Sequence, residues 1–115
     1  MQKSHDLNGI KVINFFVEEE VNANDLRDLV SNVKGQTGAS PSVVVAGSIL
    51  DEKVNVVVAV NEAGQKSNLN AGNILKNVLS KLDGKGGGKA DLAQGAGTKT
   101  SDAKTVIANI DGFIK

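Results

Sequence analysis

Residues 41–60 read PSVVVAGSILDEKVNVVVAV, two β-branched runs separated by the polar stretch Asp51, Glu52 and Lys53. Valine and isoleucine favour strands because their branched side chains pack well on a pleated surface. A short polar connection between two such runs predicts an antiparallel hairpin. The second run alternates so that one of its faces is distinctly more apolar than the other: Val54, Val56, Val58 and Val60.

Upstream of the hairpin the sequence predicts one strand and one helix. IKVINFFVEE, which follows Gly9, has apolar residues on both alternating faces and so predicts a central strand covered on both sides. NANDLRDLVSNVKG has apolar residues at i, i+3, i+4 and i+7 of a helix, with Asn24 as the N-cap and Gly35 as the stop: Leu26, Leu29, Val30 and Val33. A helical crossover makes the strands on either side of it parallel if they share a sheet.

Downstream of the hairpin, two predicted helices flank a glycine-rich loop. After the polar loop NEAGQKSNLN, the segment AGNILKNVLSKLDG predicts a helix that ends at Gly84. A last helix, capped by Thr100 or Ser101, has one apolar face: Val106, Ile107, Ile110 and Ile114. The predicted order is β-α-β-β-α-loop-α. We therefore predict an α/β fold, with α+β as the alternative, built as a mixed β-sheet with packed helices.

Length and composition limit the possible functions. With 115 residues the chain predicts one globular domain over residues 9–115, and the polar residues 1–8, which include His5, predict a leader or the stump of a linker. Thirteen basic residues balance thirteen acidic ones, so there is no overall attraction to nucleic acid or to an anionic membrane. The lack of cysteine and the single histidine leave no zinc site. No signal peptide or spanning segment is recognisable, so we expect a cytoplasmic protein without a membrane partner.

The glycine-rich stretch GKGGGKADLAQGAG, residues 84–97, predicts a shaped binding loop. It contains six glycines and two lysines but no serine, unlike a flexible linker. It fails the P-loop pattern because Asp83 stands where a glycine is needed and Ala90 follows Lys89. It also fails the dinucleotide pattern, which must follow a strand. No Ser-His-Asp or Cys-His set can be assembled either, so no catalytic residue is assigned.

A sugar-phosphate backbone is the ligand that this loop suits best. Glycine exposes backbone amides, and lysine supplies positive charge to phosphate. Residues 81–104 contain five Lys against three Asp, so the charge is positive here although the total is zero. The candidate RNA-binding residues are Lys85, Gly86, Gly87, Gly88, Lys89 and Lys99, with Lys66 and Lys76 as secondary members of a phosphate track.

The run AGNILKNVLSKLDGKGGGKADLAQGAG resembles the C-terminal domain (C-Ala, a DHH-associated domain) of alanyl-tRNA synthetases, in which a similar helix leads to a GGKGGGRPDMAQ-like loop. The resemblance extends to NGIKVI, DLRDLVSNVK and VVVAGSILDEKVNVVVAV, and so covers roughly residues 8–97. The chain departs from the pattern with Lys89 for arginine, Ala90 for proline and Leu92 for methionine. Lysine lacks the bidentate fork of arginine, so its hold on phosphate is looser.

The resemblance implies a tRNA-binding module that contacts the tRNA elbow, where the D and T loops meet, and helps to couple aminoacylation with editing of mischarged tRNA. It gives Gln94 a hydrogen bond to a sugar or a base edge. The parent enzyme is an ATP-dependent alanine–tRNA ligase with magnesium and with zinc in its editing domain, whereas this chain holds no cofactor or metal. The catalytic and editing domains are its partners. Dimerisation in the family involves an upstream helical part, so we expect a monomeric fragment of a parent that dimerises.

Two alternatives remain open from the sequence. The same type of domain binds substrate in DHH phosphoesterases, which act on short oligonucleotides or cyclic dinucleotides. Those proteins usually have GGGH, whereas this chain has Gly86-Gly87-Gly88-Lys89, and the lysine and the Ala93-Gln94 pair favour the synthetase. A protein-interaction module without a nucleic-acid role is the third hypothesis.

Overall fold

The computed structural model describes residues 3–7, 9–17, 21–38, 40–110 and 112, with side chains described from residue 9 onward except that of Ala23. In chain order the elements are β1 (Lys3–Leu7), β2 (Ile10–Val17), α1 (Ala23–Gly35), β3 (Ser42–Leu50), β4 (Lys53–Val60), α2 (Glu62–Lys66), α3 (Ala71–Ser80), β5 (Lys85–Gly88), β6 (Leu92–Gly97), a 3₁₀ turn (Thr100–Asp102) and α4 (Ala103–Ala108).

One six-stranded sheet in the order β1-β2-β3-β4-β6-β5 forms the centre of the fold. β2 and β3 are parallel, as a helical crossover requires, and every other neighbouring pair is antiparallel. The β3–β4 hairpin turns at Asp51 and Glu52, whose φ angles of 54° and 63° both lie in the left-handed region. The prediction of a mixed sheet with packed helices is therefore confirmed.

Helices cover both faces of this sheet, two on one face and one on the other. α3 and α4 pack on the face formed by alternate β4 residues, Val54, Val56, Val58 and Val60. α1 packs on the other face, against β3 and β4, through Leu26, Val30 and Val33. Leu29, predicted to share this apolar face, is 37% exposed, so the buried stripe of α1 is narrower than the sequence pattern suggests. Its N-cap is Asn22, whose side chain accepts from the Asp25 N–H, and not Asn24.

The amino-terminal segment corrects the prediction of a leader over residues 1–8. Residues 3–7 form β1, which pairs with β2 from Lys3 opposite Asn14 to Leu7 opposite Ile10. His5 lies in this strand opposite Val12. Gly9, with a φ of 87°, lies in the tight turn that reverses the chain between the two strands. Residues 1, 2 and 8 lie outside the described part of the chain.

The carboxyl-terminal half of the structure differs from the prediction in three ways. The glycine loop is a β-hairpin, β5 and β6, that extends the sheet beyond β4. The polar loop after β4 contains the short helix α2, capped by Asn61. In the last helix neither Thr100 nor Ser101 is the N-cap, because both lie in the 3₁₀ turn. Ile107 and Ile110 are buried as predicted, and Ile114 lies outside the described residues.

Candidate nucleic-acid interface

The glycine hairpin presents two different faces. Its cross-strand pairs are Lys85–Ala96, Gly86–Gly95, Gly87–Gln94 and Gly88–Ala93. Directly opposite residues share a face, and successive residues alternate between faces. One face therefore has Gly86, Gly88, Ala93 and Gly95, and it lies against α3. The other has Lys85, Gly87, Gln94 and Ala96, and it is on the α1 side of the sheet.

Packing explains the glycines on the α3 face. A Cβ on Gly95 would lie 2.5 Å from Leu79 Cδ1 of α3, and a Cβ on Gly86 would lie 3.0 Å from the same atom and 2.5 Å from Gly95 Cα. A Cβ on Gly88 would lie 2.5 Å from both Ala93 Cα and Leu92 O. Backbone atoms held in a hairpin cannot give way by such amounts, so these positions require glycine for the fold itself.

The opposite face of the hairpin is open. α1 covers β3 and β4, and beyond it β6 and β5 form the floor of a groove of about 390 Å³. The groove-lining residues are Arg27 of α1 together with Gly87, Gly88, Lys89, Asp91, Leu92, Ala93 and Gln94 of the hairpin. Leu92 also packs against the apolar cluster beneath α1, which ties the hairpin to the helix. We call this site the hairpin groove.

Charges of both signs line the hairpin groove. Arg27 from α1 and Lys89 from the turn of the hairpin are positive, and Asp91 is negative. All three residues are exposed. A guanidinium and an ammonium lining one groove suit an anion such as a phosphodiester, because arginine binds phosphate oxygens in pairs and lysine binds them as a point charge.

β5 is an edge strand whose one neighbour in the sheet is β6, so only some of its backbone N–H groups donate to a neighbouring strand. The Lys89 N–H donates to Leu92 O at 3.0 Å, so these two residues form a hydrogen-bonded pair. Because such pairs alternate in an antiparallel ladder, Gly87 is bonded to Gln94, whereas the amides of Gly86 and Gly88 point away from β6. Two of the three predicted glycine amides are therefore directed to the free edge of the sheet.

Four of the predicted binding residues come together in the hairpin groove: Gly87, Gly88, Lys89 and Gln94. Lys85 is exposed on the same face at the other end of β5. Four residues of strand separate Lys85 from Lys89, which corresponds to about 13 Å along the chain. The two lysines thus stand at opposite ends of one strand.

The remaining predicted lysines lie elsewhere. Lys66 is on α2, where its ammonium is 3.4 Å from Glu62, and both side chains are largely exposed. Lys76 is exposed on α3. Lys99 follows β6, and its N–H donates to Leu82 O at 3.0 Å, beyond the carboxyl end of α3. None of these three is among the groove-lining residues.

Arg27 is the residue of the groove that sequence reasoning missed. It is the single arginine of the sequence, and it follows the buried Leu26 on α1. Its residue type was the only available signal, because the apolar pattern of a helix shows which face is buried but not which flank meets a hairpin some sixty residues away.

Metal and membrane functions find no support in the described ranges. Among these residues no three His, Cys, Asp or Glu side chains are close enough to hold a metal ion. None of the helices described has the length and hydropathy that crossing a membrane requires.

Residues 9–115 match the family model of the DHHA1 domain, that is, almost the whole chain. This chain belongs to the DHHA1 domain family. The alanine–tRNA ligase of Corynebacterium jeikeium (strain K411) is 38% identical to this DHHA1 domain over 111 residues, which are 96% of the chain and 12% of the ligase. The chain thus spans about one eighth of the curated relative that it matches.

Solved structures agree with this assignment. The C-Ala domain of the alanyl-tRNA synthetase from Aquifex aeolicus superposes on the DHHA1 domain with a TM-score of 0.82 and 26% identity, over 97% of each chain. A DHH-domain protein described as a member of the s1p family of ribosomal proteins gives a TM-score of 0.66 at 20% identity, over 96% of this chain and 27% of that one, which is a likeness of fold alone. The resemblance to the synthetase domain is therefore confirmed.

Proposed function

We propose that this DHHA1 domain is the tRNA-binding module of an alanyl-tRNA synthetase and that it contacts the elbow of tRNA through the hairpin groove. The observation that supports this most directly is the groove itself, an open site whose lining includes both Arg27 and Lys89. It lies in a chain that matches an alanine–tRNA ligase over 96% of its length. Binding at the elbow, rather than elsewhere on tRNA, is taken from the family resemblance.

Each groove residue has a separate role in this proposal. Arg27 binds phosphate oxygens through its guanidinium, and Lys89 neutralises a second phosphate. Gln94, half-buried on the groove floor, donates to or accepts from a ribose hydroxyl or a base edge. Asp91 repels phosphate and accepts from a sugar hydroxyl or a base amino group, which restricts how the RNA can lie.

The edge of the sheet extends the contact beyond the groove. The outward amides of Gly86 and Gly88 donate to phosphate or ribose oxygens, and Lys85 continues the positive track towards the other end of β5. Lys66, Lys76 and Lys99 act only as outlying charges. Lys66 contributes least because Glu62 already neutralises it.

In the whole enzyme, this contact would hold one tRNA while its acceptor end is aminoacylated and, if mischarged, edited. ATP and magnesium would serve the aminoacylation domain and zinc the editing domain, and this domain would bind tRNA as a monomeric unit linked to both. The site of action would be the cytoplasm, where tRNA is charged.

Binding of tRNA by the domain tests the proposal. The probes are a full-length alanine tRNA transcript and an acceptor-stem minihelix that lacks the elbow. The variants are Lys85→Ala/Lys89→Ala, Arg27→Ala and the control Lys11→Ala/Lys34→Ala, which removes the same charge from β2 and the last turn of α1. We expect binding of tRNA but not of the minihelix, and loss of binding in the first two variants only.

The salt dependence of binding provides a second readout. Each phosphate contacted contributes a log-log slope of roughly 0.7–0.9, so the Lys85→Ala/Lys89→Ala variant should bind with a slope smaller by about 1.5. Equal binding of tRNA and minihelix, or equal loss in the control, would contradict elbow recognition by the groove. Tighter binding of a dinucleotide or cyclic dinucleotide than of tRNA would instead favour the phosphoesterase hypothesis.

A further inference from the structure

The three consecutive glycines of β5 are not equivalent. Gly86 and Gly88 face α3 and β6 and have no room for a Cβ, whereas a Cβ on Gly87 would meet no atom within 4 Å. The φ angle of Gly87 is not in the left-handed region either. Neither packing nor backbone conformation therefore requires glycine at this position.

Glycine at an unconstrained strand position has a cost to stability. It is less favourable than alanine there because it loses more conformational freedom on folding. Alanine at position 87 should therefore improve the fold. The residue that is present is the one that stability alone would disfavour, which points to a requirement outside the folding of the chain.

The position of Gly87 indicates what that requirement is. It lines the hairpin groove together with Arg27 and Lys89, and a Cβ at this position would meet open space and no protein atom. Its own amide is engaged with Gln94 across the ladder, so Gly87 does not act as an exposed donor. What the glycine provides is a bare stretch of backbone on the groove floor.

We infer that Gly87 is a specificity-determining residue of the groove, because its lack of a side chain lets a sugar-phosphate chain lie directly against β5 in the groove that Arg27 and Lys89 also line. This inference rests on the proposed function. Glycine at a ligand site commonly permits such a close approach of backbone and ligand. The lack of a side chain at Gly86 and Gly88 serves the packing of the hairpin on α3 and β6, whereas at Gly87 it serves the ligand.

A steric series at position 87 tests this inference. The variants are Gly87→Ala and Gly87→Leu, with Gly35→Ala as the matched control. A Cβ on Gly35 would also meet no atom within 4 Å, and this glycine lies at the end of α1, eight residues from Arg27. Gly86→Ala reports the packing role. Each protein is assayed by thermal unfolding and by binding to the alanine tRNA transcript.

We expect Gly87→Ala to unfold at the same or a higher temperature than the wild type but to bind tRNA about tenfold more weakly, with a larger loss for Gly87→Leu. Gly35→Ala should bind normally, and Gly86→Ala should unfold at a lower temperature. Unaltered binding by folded Gly87→Ala and Gly87→Leu, with binding still lost in Lys85→Ala/Lys89→Ala, would overturn the inference and leave the proposed function intact. Destabilisation by Gly87→Ala would overturn it too, and absence of tRNA binding by the wild type would overturn both.

Discussion

Asn61 connects three segments at one end of the sheet, and its replacement should destabilise the domain strongly. The residue is 8% exposed. Its carbonyl oxygen accepts from the Ser42 N–H at 2.9 Å and the Gly64 N–H at 2.8 Å. Its amide nitrogen donates to Ser40 O at 2.7 Å and to Thr37 Oγ1 at 3.1 Å. One side chain thus holds the start of β3, the first turn of α2 and the loop after α1.

Asn61→Ala leaves two buried N–H groups without acceptors. Ser42 and Gly64 are both buried. Each unsatisfied buried donor costs about 1–3 kcal/mol, so the free energy of unfolding should fall by about 4 kcal/mol. The free energy of unfolding of a single domain is typically about 5–15 kcal/mol, so this loss would remove a large part of it.

Urea denaturation followed by circular dichroism measures this change through the midpoint of the transition. Asn61→Asp tests the donor half of the network, because a carboxylate keeps both acceptor bonds but loses both donors and places its second oxygen against Ser40 O, so this variant should also be destabilised. The control is Asn73→Ala, an exposed position on α3, which should change stability by no more than about 0.5 kcal/mol. A loss below about 1 kcal/mol for Asn61→Ala would refute the reasoning, since one unsatisfied donor alone should exceed it.

Three further predictions concern the turn, α4 and the hairpin. Glu52→Gly should increase the free energy of unfolding by about 0.5–1 kcal/mol and so raise the urea midpoint. The reason is that Glu52 has a φ of 63°, which glycine adopts without strain. Asn14→Ala should lower stability by about 1–3 kcal/mol in the same assay, because its buried side chain donates to Ile107 O at 2.7 Å and so joins β2 to α4. Gly95→Ala should cost about 1–3 kcal/mol and speed hydrogen exchange of the β6 amides, because its Cβ would lie 2.5 Å from Leu79 Cδ1 and 2.7 Å from Lys85 O.

The centre of the fold could be predicted from the sequence because its signals are local. The valines of residues 43–45 and 54–60 favour strands by residue type, and the polar stretch between them is too short for anything but a hairpin. The apolar spacing in α1 and α3 has the helical period, and each of these helices is capped by an asparagine at its start. The parallel pairing of β2 and β3 then follows from the crossover.

Neither outer part of the sheet could be predicted, because these strands depend on pairing with their neighbours and not on the strand propensity of their own residues. β1 contains lysine, serine, histidine and aspartate, and β5 reads KGGG, so neither has the β-branched or aromatic content that indicates a strand. β1 is held by the tight turn at Gly9 and the ladder to β2. β5 is held by β6 and by the contact with Leu79 of α3. Tertiary context decided the structure in both places.

The hairpin residues of the groove could be predicted from the sequence, but Arg27 and the geometry of the groove could not. Lys89, Gln94 and the glycines are adjacent in sequence, and a glycine-rich run with lysine is a recognisable anion-binding pattern. Arg27 belongs to a helix that meets the hairpin only because β6 returns to pair with β4, which brings both to the same side of the sheet. In the sequence, the six consecutive lysine and glycine residues 84–89 look equivalent. In the fold, successive strand residues among them point to opposite faces of the hairpin.

That separation follows from the two-residue period of a strand. Because successive side chains point to opposite sides, one hairpin can be packed against a helix at every second position and remain open at the positions between. On the packed side, a Cβ on residue 86 would lie 2.5 Å from Gly95 Cα, 2.7 Å from Gln94 O and 3.0 Å from Leu79 Cδ1, so β6 and α3 together require glycine there. On the open side, Gly87 faces no such constraint, so the residue found there reflects the ligand. A run of three identical residues thus serves folding and binding at alternate positions, and substitution of one glycine at a time distinguishes the two roles.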